Sequence, residues 1–207
     1  MEFDSKAKEW DKDPVKIQRA RTFAREMEKH LPAGAKGTAL EFGCGTGQVS
    51  LSLHKHFEKI YMVDSSAGMV EVLKENIVKA DISNMVPVVK DVPEEELGLG
   101  SVDVLYTLMT LHHIEDLDRV LHVLSQALVP GGWLFVGDLT KEDGSFHDHA
   151  TAFTGHHGFH PESLKRKLLQ MGFTRVDHYD FFLLEKKTKE GDLKKYPLFF
   201  LAAQREG

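Results

Sequence analysis

A chain of 207 residues has room for one well-packed domain, because single cores run to about 100–200 residues, and it leaves none for a second catalytic domain. With 42% hydrophobic and 28% charged residues and no low-complexity tract, the composition excludes extensive disorder. The net charge of -6 opposes non-specific attraction to nucleic acid and to anionic membranes, and so favours a small-molecule partner.

The single cysteine, Cys44, cannot close an internal disulfide, build a cysteine-based zinc site or form a dithiol redox centre, which suits a reducing compartment. Residues 1–14 alternate acid and base without an apolar core segment. No later apolar run approaches the ~20 residues of a membrane span. The expectation is a cytoplasmic protein, monomeric or homodimeric, neither inserted in a membrane nor bound to nucleic acid.

In chain order, the apolar residues Val15, Ile17, Ala20, Phe23, Ala24 and Met27 recur at helical spacing and predict an amphipathic helix over 14–30, closed by Leu31, Pro32 and Gly34. Residues 38–42 are a short apolar strand running into glycines, and 48–57 are helical. A second strand over 59–63 ends at Asp64, and Ser65 and Ser66 cap a helix over 67–79. A third strand is expected over 86–90, a short acidic helix over 93–97, a fourth strand over 102–107, a helix over 117–128 and a fifth strand over 133–137. Such alternation implies a parallel sheet covered by helices on both faces, an α/β fold. After a histidine-rich stretch over 147–160 comes a helix over 161–171, with Pro161 in its first turn and Gly172 at its stop. Two strands follow, over 174–184 and 196–204. A lysine-rich loop without a helix joins them, so they should pair antiparallel.

The turn Glu41-Phe42-Gly43-Cys44-Gly45-Thr46-Gly47 carries the chemistry. A strand feeding a glycine-rich turn and then a helix sets backbone N–H groups and the positive end of a helix beside a ligand, and glycines allow the backbone to come close. Dinucleotides and S-adenosylmethionine both use that geometry. The dinucleotide pattern G-x-G-x-x-G would need its third glycine at position 48, where this chain has Gln48, with Gly47 one residue early. Glu41 would repel a pyrophosphate but attract a ligand carrying ammonium and sulfonium charges. Asp64, about 20 residues beyond the first glycine, stands where a carboxylate can accept from both hydroxyls of a ribose, and it can cap the next helix as well. Asp91 ends the third strand and either accepts from an adenine amino group, with Val92 against the ring, or is a solvated loop residue.

Taken together, Leu40-Glu41-Phe42-Gly43-Cys44-Gly45-Thr46-Gly47, Val63-Asp64, Lys90-Asp91-Val92, Val102-Asp103-Val104-Leu105 and Leu128-Val129-Pro130-Gly131-Gly132-Trp133-Leu134 resemble, in order, the motifs of class I S-adenosylmethionine-dependent methyltransferases. The chain is most similar in appearance to the ubiquinone/menaquinone-biosynthesis type and its small-molecule relatives. The resemblance implies one Rossmann-like three-layer domain over 1–207, with a seven-stranded, mostly parallel sheet whose last strand is antiparallel. It implies S-adenosylmethionine as methyl donor and S-adenosylhomocysteine as product. The cofactor-binding set it implies is Glu41, Gly43, Cys44, Gly45, Thr46, Gly47, Asp64, Ser65, Met69, Asp91, Val92 and Thr107. It further implies an N-terminal cap over 1–34 whose Phe3 and Trp10 lie over the cofactor; these aromatics could equally pack on the core.

The methyl acceptor is less defined. Methyl transfer from a sulfonium is an in-line displacement, so the protein must chiefly align the acceptor and exclude water. Thr107-Leu108-Met109-Thr110-Leu111-His112-His113 follows the fourth strand at the carboxyl edge of the sheet, where open α/β folds bind ligands. His113 and His112 are therefore candidate bases or orienting groups, or structural donors to a nearby loop. The stretch that contains His147, His149, His156, His157 and His160 can be a lid over 140–160, lined by Phe146, Phe153 and Phe159. The alternative is a non-catalytic or metal-dependent Rossmann-like protein that uses this cluster, although no H-E-x-x-H pair is present and no metal ligand is assigned. An Asn/Asp-Pro-Pro-aromatic tetrapeptide, the mark of amino-group nucleic-acid methyltransferases, is missing after the fourth strand. A small, partly apolar acceptor is expected.

Overall fold

The computed structural model describes residues 2–31, 36–92, 97–147 and 153–207, so most of the acidic helix expected at 93–97, and His149, lie outside the described residues. Two helices, α1 (Glu2–Trp10) and α2 (Pro14–Glu28), precede the first strand, β1 (Gly37–Phe42). The chain continues through α3 (Gln48–Leu53), β2 (Phe57–Asp64), α4 (Ala67–Lys79), β3 (Met85–Val89), β4 (Val102–Leu108), α5 (Leu117–Ala127) and β5 (Leu128–Leu139). It closes with α6 (Pro161–Gln170), β6 (Phe173–Lys187) and β7 (Leu193–Arg205).

The seven strands form one sheet in the order β3-β2-β1-β4-β5-β7-β6. β7 runs antiparallel to both of its neighbours and every other pair is parallel, as expected of a Rossmann-like sheet with an antiparallel last strand. Alternation along the strands divides the core. Leu40, Val63, Leu105, Phe199 and Leu201 pack with Leu121 and Leu124 of α5 and Leu164 and Leu168 of α6. Ala39, Met62, Val104, Phe200 and Ala202 pack on the other face with Phe23 and Met27 of α2, Leu53 of α3 and Leu73 of α4. Three layers result. Each large apolar side chain fully buried in them is worth about 1.5–3 kcal/mol.

The strand order reverses between β1 and β4. The chain lays β2 and β3 to one side of β1 and then crosses to place β4 on the other, so the loops that leave the carboxyl ends of β1 and β4 diverge and open a crevice. The glycine turn leaves β1 there, and Met109 to His113 leave β4.

Three elements differ from the sequence expectation. α3 ends at Leu53, not near 57, and Phe57 enters the core at the start of β2; a 3-10 turn over His54–His56 makes the change, and the Asn84 amide braces it by donating to the carbonyls of His54 (2.7 Å) and Phe57 (2.8 Å). β5 begins at Leu128, pairing with Val102, so Pro130 and Gly131 lie within an irregular start rather than before the strand. The polar N-terminus forms α1, which packs on α4: Asp4 accepts from the Ser66 hydroxyl (2.6 Å) and the Gly68 N–H (2.9 Å), adding a carboxylate to the positive end of α4. The Ser66 hydrogen bond holds the Asp4 carboxyl well below the usual carboxylate range. Among the described residues no helix is long and apolar enough to cross a membrane.

Candidate active site

At the switch point lies a cavity of about 500 Å³, walled on one side by the glycine turn and on the other by the loop after β4, a size usual for small-molecule sites. The turn is held from three directions. Gly43 and Cys44 N–H groups donate to the Val63 carbonyl (2.8 and 3.0 Å). Gly43, at φ +68°, presses on Thr110, so that an added Cβ would lie 2.2 Å from that side chain. Thr46 donates from its hydroxyl to Asp11 (2.6 Å), and the Asn76 amide of α4 bridges Asp11 (2.9 Å) and the Thr46 carbonyl (3.1 Å). At Gly45, by contrast, a Cβ at φ +52° would meet nothing within 4 Å. The turn is therefore rigid in its backbone and bare on its open side.

Asp64 fixes the turn to the next helix. Its Oδ2 accepts from the Gly45 N–H (2.7 Å) and its Oδ1 from the Ser66 N–H (2.8 Å), which spans 19 residues of chain and leaves a lone pair on each oxygen. Burial raises its pKa. Glu41 is buried, and it accepts from the Ser50 hydroxyl of α3, while Ser50 lies 2.5 Å from the hydroxyl of Tyr106, the residue beside Glu41 on β4. Burial pushes the Glu41 carboxyl up to about 8. A cation arriving in the cavity would favour its ionised form.

Of the twelve residues expected at a cofactor, Glu41, Gly43, Cys44, Gly45, Thr46, Asp64, Ser65, Met69, Asp91 and Val92 line this cavity. Gly47 and Thr107 are not among the lining residues. Gly47, at φ +84°, stands at the start of α3, where a Cβ would strike Leu73 (2.4 Å), so its smallness serves the packing of α3 on α4. Thr107 is fully buried in β4. Phe3 and Trp10 line the cavity, half-buried, in edge contact with each other (6.0 Å between centroids), so α1 closes the cavity and does not contribute these rings to the core.

The other end of the cavity is built from rings and imidazoles. His112 is buried; its Nδ1 faces Asp138 Oδ1 at 2.5 Å, and Asp138 also accepts from the backbone N–H groups of His112 (3.3 Å) and Leu139 (2.7 Å). His113 lies edge-on to Phe3 (5.2 Å) and Phe153 (5.6 Å). His147 stacks face to face on Phe153, centroids 3.8 Å apart. Burial pushes the His113 and His147 imidazoles down to about 3, so both are neutral near pH 7. Of the histidine-rich stretch only His147, among the described residues, joins His112 and His113 in one group. Residues 153–159 are tied to the loop after β4 and to the end of β5: His156 N–H donates to the His112 carbonyl (2.7 Å) and Phe159 N–H to the Leu139 carbonyl (2.8 Å).

Sequence reasoning missed Arg19 and Asp138. Arg19 of α2 is 8% exposed and lines the cavity, with no hydrogen-bond partner for its Nε among the described residues, and burial lowers its pKa to about 10. A signal existed: Arg19 stands four residues before Phe23 and eight before Met27, on the apolar stripe itself. Asp138 sits just past the expected end of the fifth strand, where only its place at the carboxyl edge could have flagged it.

Comparison with known proteins gives the family and the fold. The methyltransferase domain family matches residues 15–178. An uncharacterized methyltransferase of Schizosaccharomyces pombe is 34% identical over 139 residues, 60% of this chain and 49% of that protein. The ubiquinone biosynthesis O-methyltransferase of Xanthomonas axonopodis pv. citri is 27% identical over 117 residues, 56% of this chain and 47% of that protein. The chain spans about half the length of the curated relatives it matches. Among solved structures, a chain of the Haloferax volcanii complex between the Trm112 methyltransferase activator and a putative methyltransferase superposes with a TM-score of 0.77 at 14% identity, covering 100% of this chain and 98% of that one. The Haemonchus contortus phosphoethanolamine N-methyltransferase 2 bound to S-adenosyl-L-methionine gives 0.71 at 15% identity, over 99% of this chain and 60% of that one. At such identities the likeness is one of fold.

Proposed function

We propose that this chain, which belongs to the methyltransferase domain family, moves a methyl group from S-adenosylmethionine to a small, partly apolar acceptor held between the glycine turn and the histidine loop. The observation that carries this is the bare face of Gly45, locked by Asp64 and opening onto a cavity of about 500 Å³. The lining carries both signs of charge, and at the glycine turn the carboxyl groups of Glu41 and Asp64 can take the cationic part of the ligand. When bound, S-adenosylmethionine supplies a methyl group on a positively charged sulfur, open to in-line displacement.

The chain's own residues then have three tasks. Asp64 keeps a lone pair on each oxygen for hydroxyl donors while its backbone bonds hold it still. Glu41 supplies negative charge once a cation draws off its proton. Phe3, Trp10 and Phe153 cover the cavity and keep water from the reacting atoms. Orientation of the acceptor falls to Arg19, His112 and His113. With an imidazole pushed down to about 3, His113 is a weak proton acceptor. It is better suited to holding an acceptor that sheds its own proton, such as a phenol, an enol or a thiol. Arg19 adds one buried positive charge that would attract the resulting anion.

A turnover screen over phenols, quinone precursors, thiols and amines, read by S-adenosylhomocysteine release, tests the assignment. Release is expected with at least one partly apolar acidic acceptor. Absence of release together with absence of S-adenosylmethionine binding would sink it.

A further inference from the structure

The three imidazoles at the acceptor end have an organisation that methyl transfer alone does not call for. His112 comes from the loop after β4 and is 1% exposed, and its Nδ1 is engaged by a fully buried carboxylate, Asp138, at 2.5 Å. A carboxylate accepts only, so Nδ1 carries the hydrogen, and the neutral imidazole then has its lone pair on Nε2. That Nε2 is buried and finds no hydrogen-bond partner among the described residues. Leaving such an acceptor unmade costs on the order of 1–3 kcal/mol. His113 and His147 lie beside it, and one ring nitrogen from each of the three histidines falls within 4.8 Å of the others.

We propose that His112, His113 and His147 bind one divalent transition-metal ion, Zn²⁺ by the chemistry of the donor set, with Asp138 orienting His112 from behind. Three imidazole ligands with an open fourth position are a known arrangement for zinc, and imidazole suits zinc, copper and nickel better than the hard alkaline-earth cations. Nitrogens on one tetrahedral zinc stand ~3.4 Å apart at bonds of ~2.1 Å. The observed spread therefore closes by small ring rotations of His113 and half-buried His147. Asp138 holds the tautomer that ligation needs, as a carboxylate behind a metal-bound histidine does. Phe146 and Phe153 against the His147 ring (4.8 and 3.8 Å between centroids) give the ion a dry surround. All three histidines line the cavity, so the open position faces it and would take an oxygen or sulfur anion.

The test uses the full chain without a histidine tag, stripped with chelator and titrated with Co²⁺. Expected is a visible d–d spectrum of four-coordinate Co²⁺ saturating at about one ion per chain and displaced by Zn²⁺. His112→Ala and His147→Ala should each abolish it, whereas Asp138→Asn should weaken Co²⁺ binding by ~10–100-fold. Far-UV circular dichroism and thermal unfolding report whether each variant folds, and half-buried His147 is the variant most certain to do so. A control, His54→Gln with His56→Gln, alters two histidines outside the cavity and should leave the spectrum unchanged. No such spectrum in the wild type, or one that persists in folded His147→Ala, would overturn the site. Titration of the same preparations with S-adenosylhomocysteine reads the methyl-donor assignment separately, so either can fail alone.

Discussion

The two ends of the cavity are built on opposite plans. At the glycine turn, position is fixed by backbone: the N–H groups of Gly43, Cys44 and Gly45 are all committed to Val63 or Asp64, and a side chain intrudes nowhere on the open face of Gly45. At the histidine end, position is fixed by side chains from distant segments: Arg19 from α2, His112 and His113 from the loop after β4, Asp138 from β5, His147 and Phe153 from beyond it. A backbone cradle binds a ligand of constant shape. A side-chain cluster changes with each substitution, which suits the proposed acceptor half of the site.

Substitutions should separate the two ends. The largest expected effect is at the turn. Asp64→Ala removes the partners of the Gly45 and Ser66 N–H groups, each a charge-assisted bond of about 1.5–3 kcal/mol, and should weaken S-adenosylmethionine binding by roughly a hundredfold or more by titration calorimetry, while acceptor-end properties such as Co²⁺ binding stay intact.

Glu41 gives the next effect, and it depends on pH. Because burial holds its carboxyl near 8 when folded, against about 4.3 in an unfolded chain, folding takes up a proton between those values. The cost of ionising it in place is absent in acid and complete above pH 8. Glu41→Gln should therefore be stabilising by an amount that grows from pH 4.3 to 8, reaching on the order of a few kcal/mol in denaturant unfolding. In the wild type, binding the cationic methyl donor at pH 7 should release a proton, visible as a binding enthalpy that tracks the ionisation enthalpy of the buffer. Glu41→Gln should show no such dependence.

How far these features could be foreseen follows the same division. The parallel strands, the antiparallel pairing at the end of the chain and the residues of the turn were legible because periodicity and glycine spacing are local properties of the chain, and Asp64 stands within 20 residues of the turn it holds; the order of the strands in the sheet was not, since it depends on crossovers between distant segments. Gly47 belonged to the same motif but serves packing on Leu73, a contact only the folded chain reveals. At the far end, Asp138 pairs with His112 across 26 residues and His147 reaches His113 across 34, separations no sequence window links. The helical form of α1 went unread because only Phe3, Ala7 and Trp10 of its residues are apolar and its anchor, Asp4 on α4, is again long-range.

Smaller effects sharpen the contrast further. Arg19→Met removes a buried guanidinium without a hydrogen-bond partner for Nε, and it should raise the acceptor KM about tenfold, the equivalent of ~1.4 kcal/mol, with methyl-donor affinity unchanged. Its thermal stability should hold or rise, since an apolar side chain of similar length restores the packing. Asp4→Ala loosens α1 from α4 and should weaken methyl-donor binding only severalfold, because Phe3 and Trp10 still cover the cavity.

The central claim, that the glycine turn and Asp64 form the methyl-donor site, is tested most directly by calorimetric titration of the full chain and of Asp64→Ala with S-adenosylmethionine. One-site binding in the wild type and its loss in the folded variant are predicted; absence of binding in the wild type, or undiminished affinity in Asp64→Ala, would contradict it.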